Sequence, residues 1–217
     1  MANDNLEHVF PPLIGSPTGQ FRVHIIGNSG SGKAWSLDGI STILGLPFIS
    51  LDELYWKPSW VETPPHEFRE IVQNTLDHGD TLGWVVEGSY RRILGNLVTE
   101  KATDVIWLDP PLALYFPRIV WRTILRLLTM GPPCSKGCDE SIRMAFFSKD
   151  SIILWCLTHH SIVRERGTRM MEQYGLDVGR YHGQRKMRRI GGWGGQLSKW
   201  LENVRTMAVG KRSRFLL

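Results

Sequence analysis

The run Gly27-Asn28-Ser29-Gly30-Ser31-Gly32-Lys33 constrains this chain more than any other stretch, because it fits the spacing G-x-x-x-x-G-K. It follows a short apolar segment, Phe21 to Ile26, and opens a helical pattern from about Lys33 to Leu44 with Leu37, Ile40 and Leu44 on one face. A strand, a glycine loop and a helix in that order form the context in which this spacing holds phosphate. Glycines let the backbone wrap an anion, amide N–H groups point inward, and the helix start adds positive partial charge. Lys33 then reaches the terminal phosphates. Gly27, Asn28, Ser29, Gly30, Ser31, Gly32, Lys33 and Ala34 are therefore the expected nucleotide-phosphate residues. The dinucleotide spacing G-x-G-x-x-G does not fit here.

One position departs from the chemistry. The residue after the lysine is ordinarily Ser or Thr, whose hydroxyl ligates Mg²⁺. Here it is Ala34, which offers no ligand, and Trp35 follows. Ser36 lies about 200° round the helix, so it points elsewhere. Ser29 or Ser31 could substitute only through a shifted loop.

Further short apolar runs alternate with helical patterns. Pro47 to Leu51 reads as a second strand ending at Asp52, Trp84-Val85-Val86 as a third ending at Glu87, and Asp104 to Leu108 as a fourth ending at Asp109. Met187 to Ile190 reads as the last. Helices are expected from Thr63 (as N-cap) to about Asp77, from Leu112 to about Thr129, over 141–173 and over 196–207. This alternation implies right-handed crossovers and a buried parallel sheet, a three-layer α/β fold. Ligands in such sheets bind outside the carboxyl ends of the strands, where Asp52, Glu87 and Asp109 fall. Glu87 is placed to organise Mg²⁺, and Asp52 to orient an acceptor hydroxyl. Turn or helix-cap acids are the plain alternative for all three.

Charge divides the chain. Residues 1–110 carry 7 basic and 14 acidic side chains, and residues 111–217 carry 19 basic and 7 acidic, so balances of −7 and +12 make up the net +5. A basic half of that size calls for an anionic partner. The longest apolar run, Ile152 to Leu157, is far too short to span a bilayer, and the first twenty residues carry no signal-peptide pattern. Three cysteines make no disulfide framework, so a cytoplasmic setting is expected. Residues 1–19 read as a flexible leader, 20–207 as one domain with a helical lid insertion at about 129–180, and 208–217 as a basic tail.

Taken together, RVHIIGNSGSGK, LPFISLDELYWKPSW, WVVEGSY, TDVIWLDPP and RKMRRIGGWGG resemble the adenylate-kinase-like P-loop NTPase family. Within it they are similar to the group labelled DNA topology modulation protein (FlaR-like). The resemblance covers roughly residues 21–126 and the last strand. It implies a five-stranded parallel sheet of order 2-3-1-4-5 flanked by helices, with ATP and Mg²⁺ as cofactors. It also implies a lid of arginines after the fourth strand and a base-framing loop after the fifth. Family members usually carry Ser-Thr at positions 34 and 35 and Asp at 87.

The remaining expectations concern the basic half and the acceptor. Arg118, Arg122 and Arg126 recur every four residues, so they share one helix face and could neutralise a transferring phosphoryl group. Arg91 is where related kinases place an acceptor-phosphate arginine, Trp56 could stack on a planar acceptor, and Trp193 among four glycines could frame a base. Cys134 and Cys138 supply two of the four ligands of a structural zinc, and His159 or His160 would have to fold back to complete it. The sequence thus points to a P-loop phosphotransferase acting from a nucleoside triphosphate on a small acceptor. A nucleotide-binding pseudo-kinase with a degraded magnesium site is the alternative. A nucleic-acid-associated role is a third reading, but no helix-turn-helix or zinc-finger spacing supports it.

Overall fold

The computed structural model describes residues 10–79, 81–128, 137–138, 151–180 and 182–214. Five strands form one parallel sheet: β1 (Arg22–Gly27), β2 (Phe48–Ser50), β3 (Trp84–Glu87), β4 (Asp104–Leu108) and β5 (Met187–Ile190). Their order is β2-β3-β1-β4-β5, the order the family resemblance implied. A separate two-stranded ribbon pairs Trp56–Lys57 with Val61–Glu62.

Both faces of the sheet are buried, which is why Ile25-Ile26, Trp84-Val85-Val86 and Val105-Ile106-Trp107-Leu108 run apolar without alternating; β5, with Arg188 and Arg189 inside it, is the exception. Ile25, Val85, Ile106, Leu108 and Ile190 face one layer with Ile40, Trp200, Leu201 and Val204. That layer consists of α1 (Lys33–Leu44) and a closing helix over Gly195–Arg214. Trp84, Val86, Val105, Trp107 and Met187 face the other layer with Phe68, Val72, Leu76 and Met170. Phe68, Val72 and Leu76 form the buried stripe of a helix over Pro65–His78, which ends at Gly79 as expected. Met170 comes from a helix over Ile152–Tyr174, whose start Ser151 caps by accepting the N–H of Leu154 at 3.3 Å.

Several expectations are corrected. Residues 10–19 are a pinned strap rather than a loose leader. Leu13 sits in the core, and the Asp104 carboxylate accepts the backbone N–H groups of Ile14 (2.6 Å) and Gly15 (3.0 Å). Arg188 donates to the Pro11 carbonyl at 2.7 Å and Trp200 to the Pro12 carbonyl at 2.9 Å. Residues 1–9 lie outside the described residues. Thr63 does not cap the following helix; its hydroxyl reaches back to the Leu54 and Tyr55 carbonyls at 3.2 and 2.8 Å, and Pro64 takes the cap position. The second strand stops at Ser50, so Asp52 lies in the first turn of a short helix, α2 (Leu51–Tyr55). The expected tail is helical as far as Arg214. Of the expected lid, residues 129–136 and 139–150 are outside the described residues, as is Cys134.

Candidate functional site

The glycine loop joins β1 to α1 at the carboxyl end of the sheet. Gly32 caps α1 in a left-handed conformation (φ +99°), offering no side chain to compete for the first-turn amides. Gly30 is also left-handed, and a Cβ there would stand 2.4 Å from Ile119 Cγ1, so only glycine fits. Ile119 belongs to a helix spanning Leu112–Leu127, which therefore lies directly against the loop. Lys33 Nζ donates to the carbonyls of Asn28 (2.8 Å) and Gly27 (3.3 Å), folding over the glycine loop. Asn28 is buried; its Oδ1 accepts the Ser29 N–H at 2.8 Å and its Nδ2 donates to the Tyr115 hydroxyl at 2.8 Å. Ser31 is buried, and its hydroxyl has no hydrogen-bond partner.

Glu87, at the end of β3, is where the expected charges meet. Burial pushes its carboxyl above the ordinary range and the nearby Asp52 charge adds to that, while Lys33, the Ser50 hydroxyl and Arg122 pull the other way. The Ser50 hydroxyl lies 3.4 Å from Glu87 Oε1. Asp52 accepts a 2.7 Å hydrogen bond from the Tyr90 hydroxyl. Arg122 Nη2 donates to Ser29 Oγ at 3.2 Å, so the middle member of the arginine row reaches the loop. Lys33, Asp52, Glu87 and Arg122 thus share one end of the sheet.

The other expected residues are more dispersed. Arg118 is exposed and Arg126 half-buried on the same helix. Trp193 stands out on its glycine loop, 70% exposed. Trp56 packs edge-on against Tyr55 and Trp60, and Arg91 donates to Asn96 Oδ1 at 2.7 Å. Asp109 is held between Arg189, whose Nε lies 2.9 Å away, and Arg164 at 3.4 Å. That pairing makes it a structural anchor for the β4 end. Cys138 Sγ donates to the Lys57 carbonyl at 3.3 Å, and His160 bonds Tyr115, so neither stands with the other as a zinc ligand.

Three partners escaped the sequence reading: Ser50, Tyr90 and Tyr115. Tyr90 had a legible clue, since it follows Gly88-Ser89 directly after the strand-end acid. Tyr115 had none, because a helical tyrosine at core spacing is indistinguishable from packing.

The arrangement fits a polyphosphate: Lys33 and Arg122 supply cationic groups, and the glycine loop and the α1 start supply amides. It fits Mg²⁺ in part. The Asp52 charge raises the proton affinity of Glu87, which a cation would relieve, but position 34 contributes no hydroxyl. No cluster of three or more His, Cys, Asp or Glu able to hold a metal occurs among the described residues. None of the described helices is long and apolar enough to cross a membrane.

No protein-family model and no curated protein matches the sequence. Among solved structures the chain is similar to an unliganded sugar kinase from Janibacter sp. HTCC2649, at 15% identity and TM-score 0.46, over 88% of this chain and 93% of that one. It is similar to a shikimate kinase from Bacteroides thetaiotaomicron at 14% identity and TM-score 0.46, over 86% and 97% of the two chains. A gluconokinase from Sinorhizobium meliloti 1021 shares 13% identity at TM-score 0.45, over 90% and 98%. The strand order, with a G-x-x-x-x-G-K loop after the central strand, makes the fold a three-layer P-loop α/β fold.

Proposed function

We propose that the chain is an ATP-dependent phosphotransferase of the small-molecule kinase type, moving the γ-phosphate of ATP to a hydroxyl of a small acceptor. The observation that carries this reading is the grouping of Lys33, Arg122, Glu87 and Asp52 at the carboxyl end of the sheet. Lys33 leaves the loop carbonyls to hold the terminal phosphates, and Arg122 neutralises charge on the moving group. Asp52, steadied by Tyr90, accepts the acceptor's hydroxyl hydrogen and takes the proton as the new O–P bond forms and the bond to ADP breaks. A bound Mg²⁺ would offset phosphate charge, and Glu87, with Ser50 beside it, would hold it. Arg118 and Arg126 complete the lid face, Trp193 frames the base, and Trp56 and Arg91 lie on the acceptor side. Closer placement among the adenylate-kinase-like proteins, in the FlaR-like group, and a cytoplasmic setting belong to the same proposal.

Calorimetric titration of ATP, with and without Mg²⁺, tests it. Lys33→Ala is expected to weaken binding at least tenfold; unchanged affinity would overturn the phosphate-loop assignment. Ala34 favours a second reading, a nucleotide-binding pseudo-kinase with a decayed magnesium site. Ala34→Ser separates the two. A large gain in phosphate release points to decay, whereas normal turnover of the native chain with no gain from serine sinks it.

A further inference from the structure

The helix over Leu112–Leu127 touches the phosphate loop at three successive positions of one face. Tyr115 receives the Asn28 amide, Ile119 fills the space a Gly30 Cβ would need, and Arg122 reaches Ser29. Spacings of four and three residues put these side chains in one stripe. Tyr115 is almost fully enclosed, 1% exposed, and its hydroxyl is a junction. Asn28 Nδ2 donates to it, so the hydroxyl's own hydrogen is available to His160 Nδ1, 2.6 Å away on the helix over Ile152–Tyr174. The Cys156 thiol of that same helix adjoins it. On the other side, Asn28 Oδ1 takes the Ser29 N–H, fixing the direction of one peptide in the loop. Ser29 N–H, Asn28, Tyr115 and His160 therefore form a continuous chain of hydrogen bonds, each polarising the next.

We infer that Tyr115 is a positioning residue for nucleotide phosphate: through Asn28 it sets the loop's amide directions and ties the loop to the helices over Leu112–Leu127 and Ile152–Tyr174. The inference rests on the proposed ATP-binding role of the loop and adds to it a residue outside the glycine motif. Its chemistry is specific. A bulky aromatic ring alone would hold the helix in place, but only the hydroxyl can accept from Asn28 while donating to His160. Without it Asn28 keeps one amide hydrogen buried and unpaired, and it regains a partner only by turning, which releases the Ser29 peptide.

The test compares wild type with Tyr115→Phe, which keeps the ring and removes the hydroxyl. Inorganic tripolyphosphate and ATP are titrated by calorimetry, and thermal unfolding is followed in parallel. Both ligands are expected to bind the variant about five- to tenfold more weakly, with adenosine binding unchanged. Asn28→Ala is expected to weaken binding at least as much, and the double variant no more than Asn28→Ala alone, because the two act through one bond. A Tyr115→Phe variant that melts earlier but binds tripolyphosphate like wild type would overturn the inference and leave the ATP reading standing. Additive losses in the double variant would overturn it too. If wild type binds neither ATP nor tripolyphosphate, it is the functional reading that fails.

Discussion

Glu87 shows how one side chain can serve chemistry at the expense of stability. Burial, and then Asp52, raise its proton affinity in the native state above the ordinary 4.5. The native state therefore keeps the proton at pH values where the unfolded chain has lost it, so stability falls as pH rises through that window. Glu87→Gln removes the liability. Its unfolding midpoint is expected to match wild type below pH 4.5 and to exceed it above the native titration, measured by urea unfolding at pH 4 and pH 8. Phosphate transfer by the same variant is expected to drop by two orders of magnitude or more. A glutamine variant no more stable than wild type at pH 8 would mean that Lys33 and Arg122 compensate the charge in full.

At the scale of elements, the contact between β4 and the helix over Ile152–Tyr174 is close. Gly167 faces the indole of Trp107, and a Cβ there would stand 2.3 Å from the ring. Gly167→Ala is expected to cost about 1–3 kcal/mol, read as a lower urea midpoint, because the helix must lift or the indole must leave its packing. Trp107 also lies under Arg189 at 5.0 Å, so displacing it would loosen the Asp109 anchor as well. The elements differ in how plainly the sequence announces them. β1, β3 and β4 were legible because a strand buried on both faces carries a short apolar run, whereas β5 holds Arg188 and Arg189 between its apolar ends. Glu87 was legible as a strand-end acid, while Asp52 stands just past its strand, in the first turn of α2. The strap over residues 10–19 was not, since its anchors are Asp104, Arg188 and Trp200, far along the chain, and nothing local marks it. Thr63 misled because its hydroxyl found carbonyls behind it instead of amides ahead.

For the molecule as a whole, most of the basic excess described near the last strand is used internally. Arg185 donates to the Gly179 carbonyl, Lys186 to those of Glu100 and Ala102, Arg188 to Pro11, and Arg189 to Asp109. These four basic side chains of residues 111–217 thus have partners within the fold. Global acid response is set elsewhere. His24 is buried beneath the turn that follows Glu87, with Nε2 donating to the Gly88 carbonyl at 2.7 Å and Nδ1 accepting from Thr99 at 3.2 Å. Burial lowers its pKa from 6.5 to about 4, with Arg91 and Lys186 adding to the effect and the Gly88 bond opposing it. The unfolded chain takes up a proton below pH 6.5 that the native state refuses, so stability falls as pH drops from 6.5 to 4. The loss is about 3 kcal/mol. Urea midpoints across that range should show it, and His24→Gln, neutral throughout, should remove that part of the slope. An unchanged slope would mean that other groups govern the acid limb.

The strap has a consequence for the order of assembly. Its partners lie 90, 177 and 188 residues downstream, so a chain emerging from the ribosome makes the strap long before it has anywhere to sit. The sheet can close around β1 and β4, but residues 10–20 gain their last anchors only once Arg188 and Trp200 have been synthesised. An early segment is thus finished last, and it fastens β4, β5 and the closing helix in one stroke.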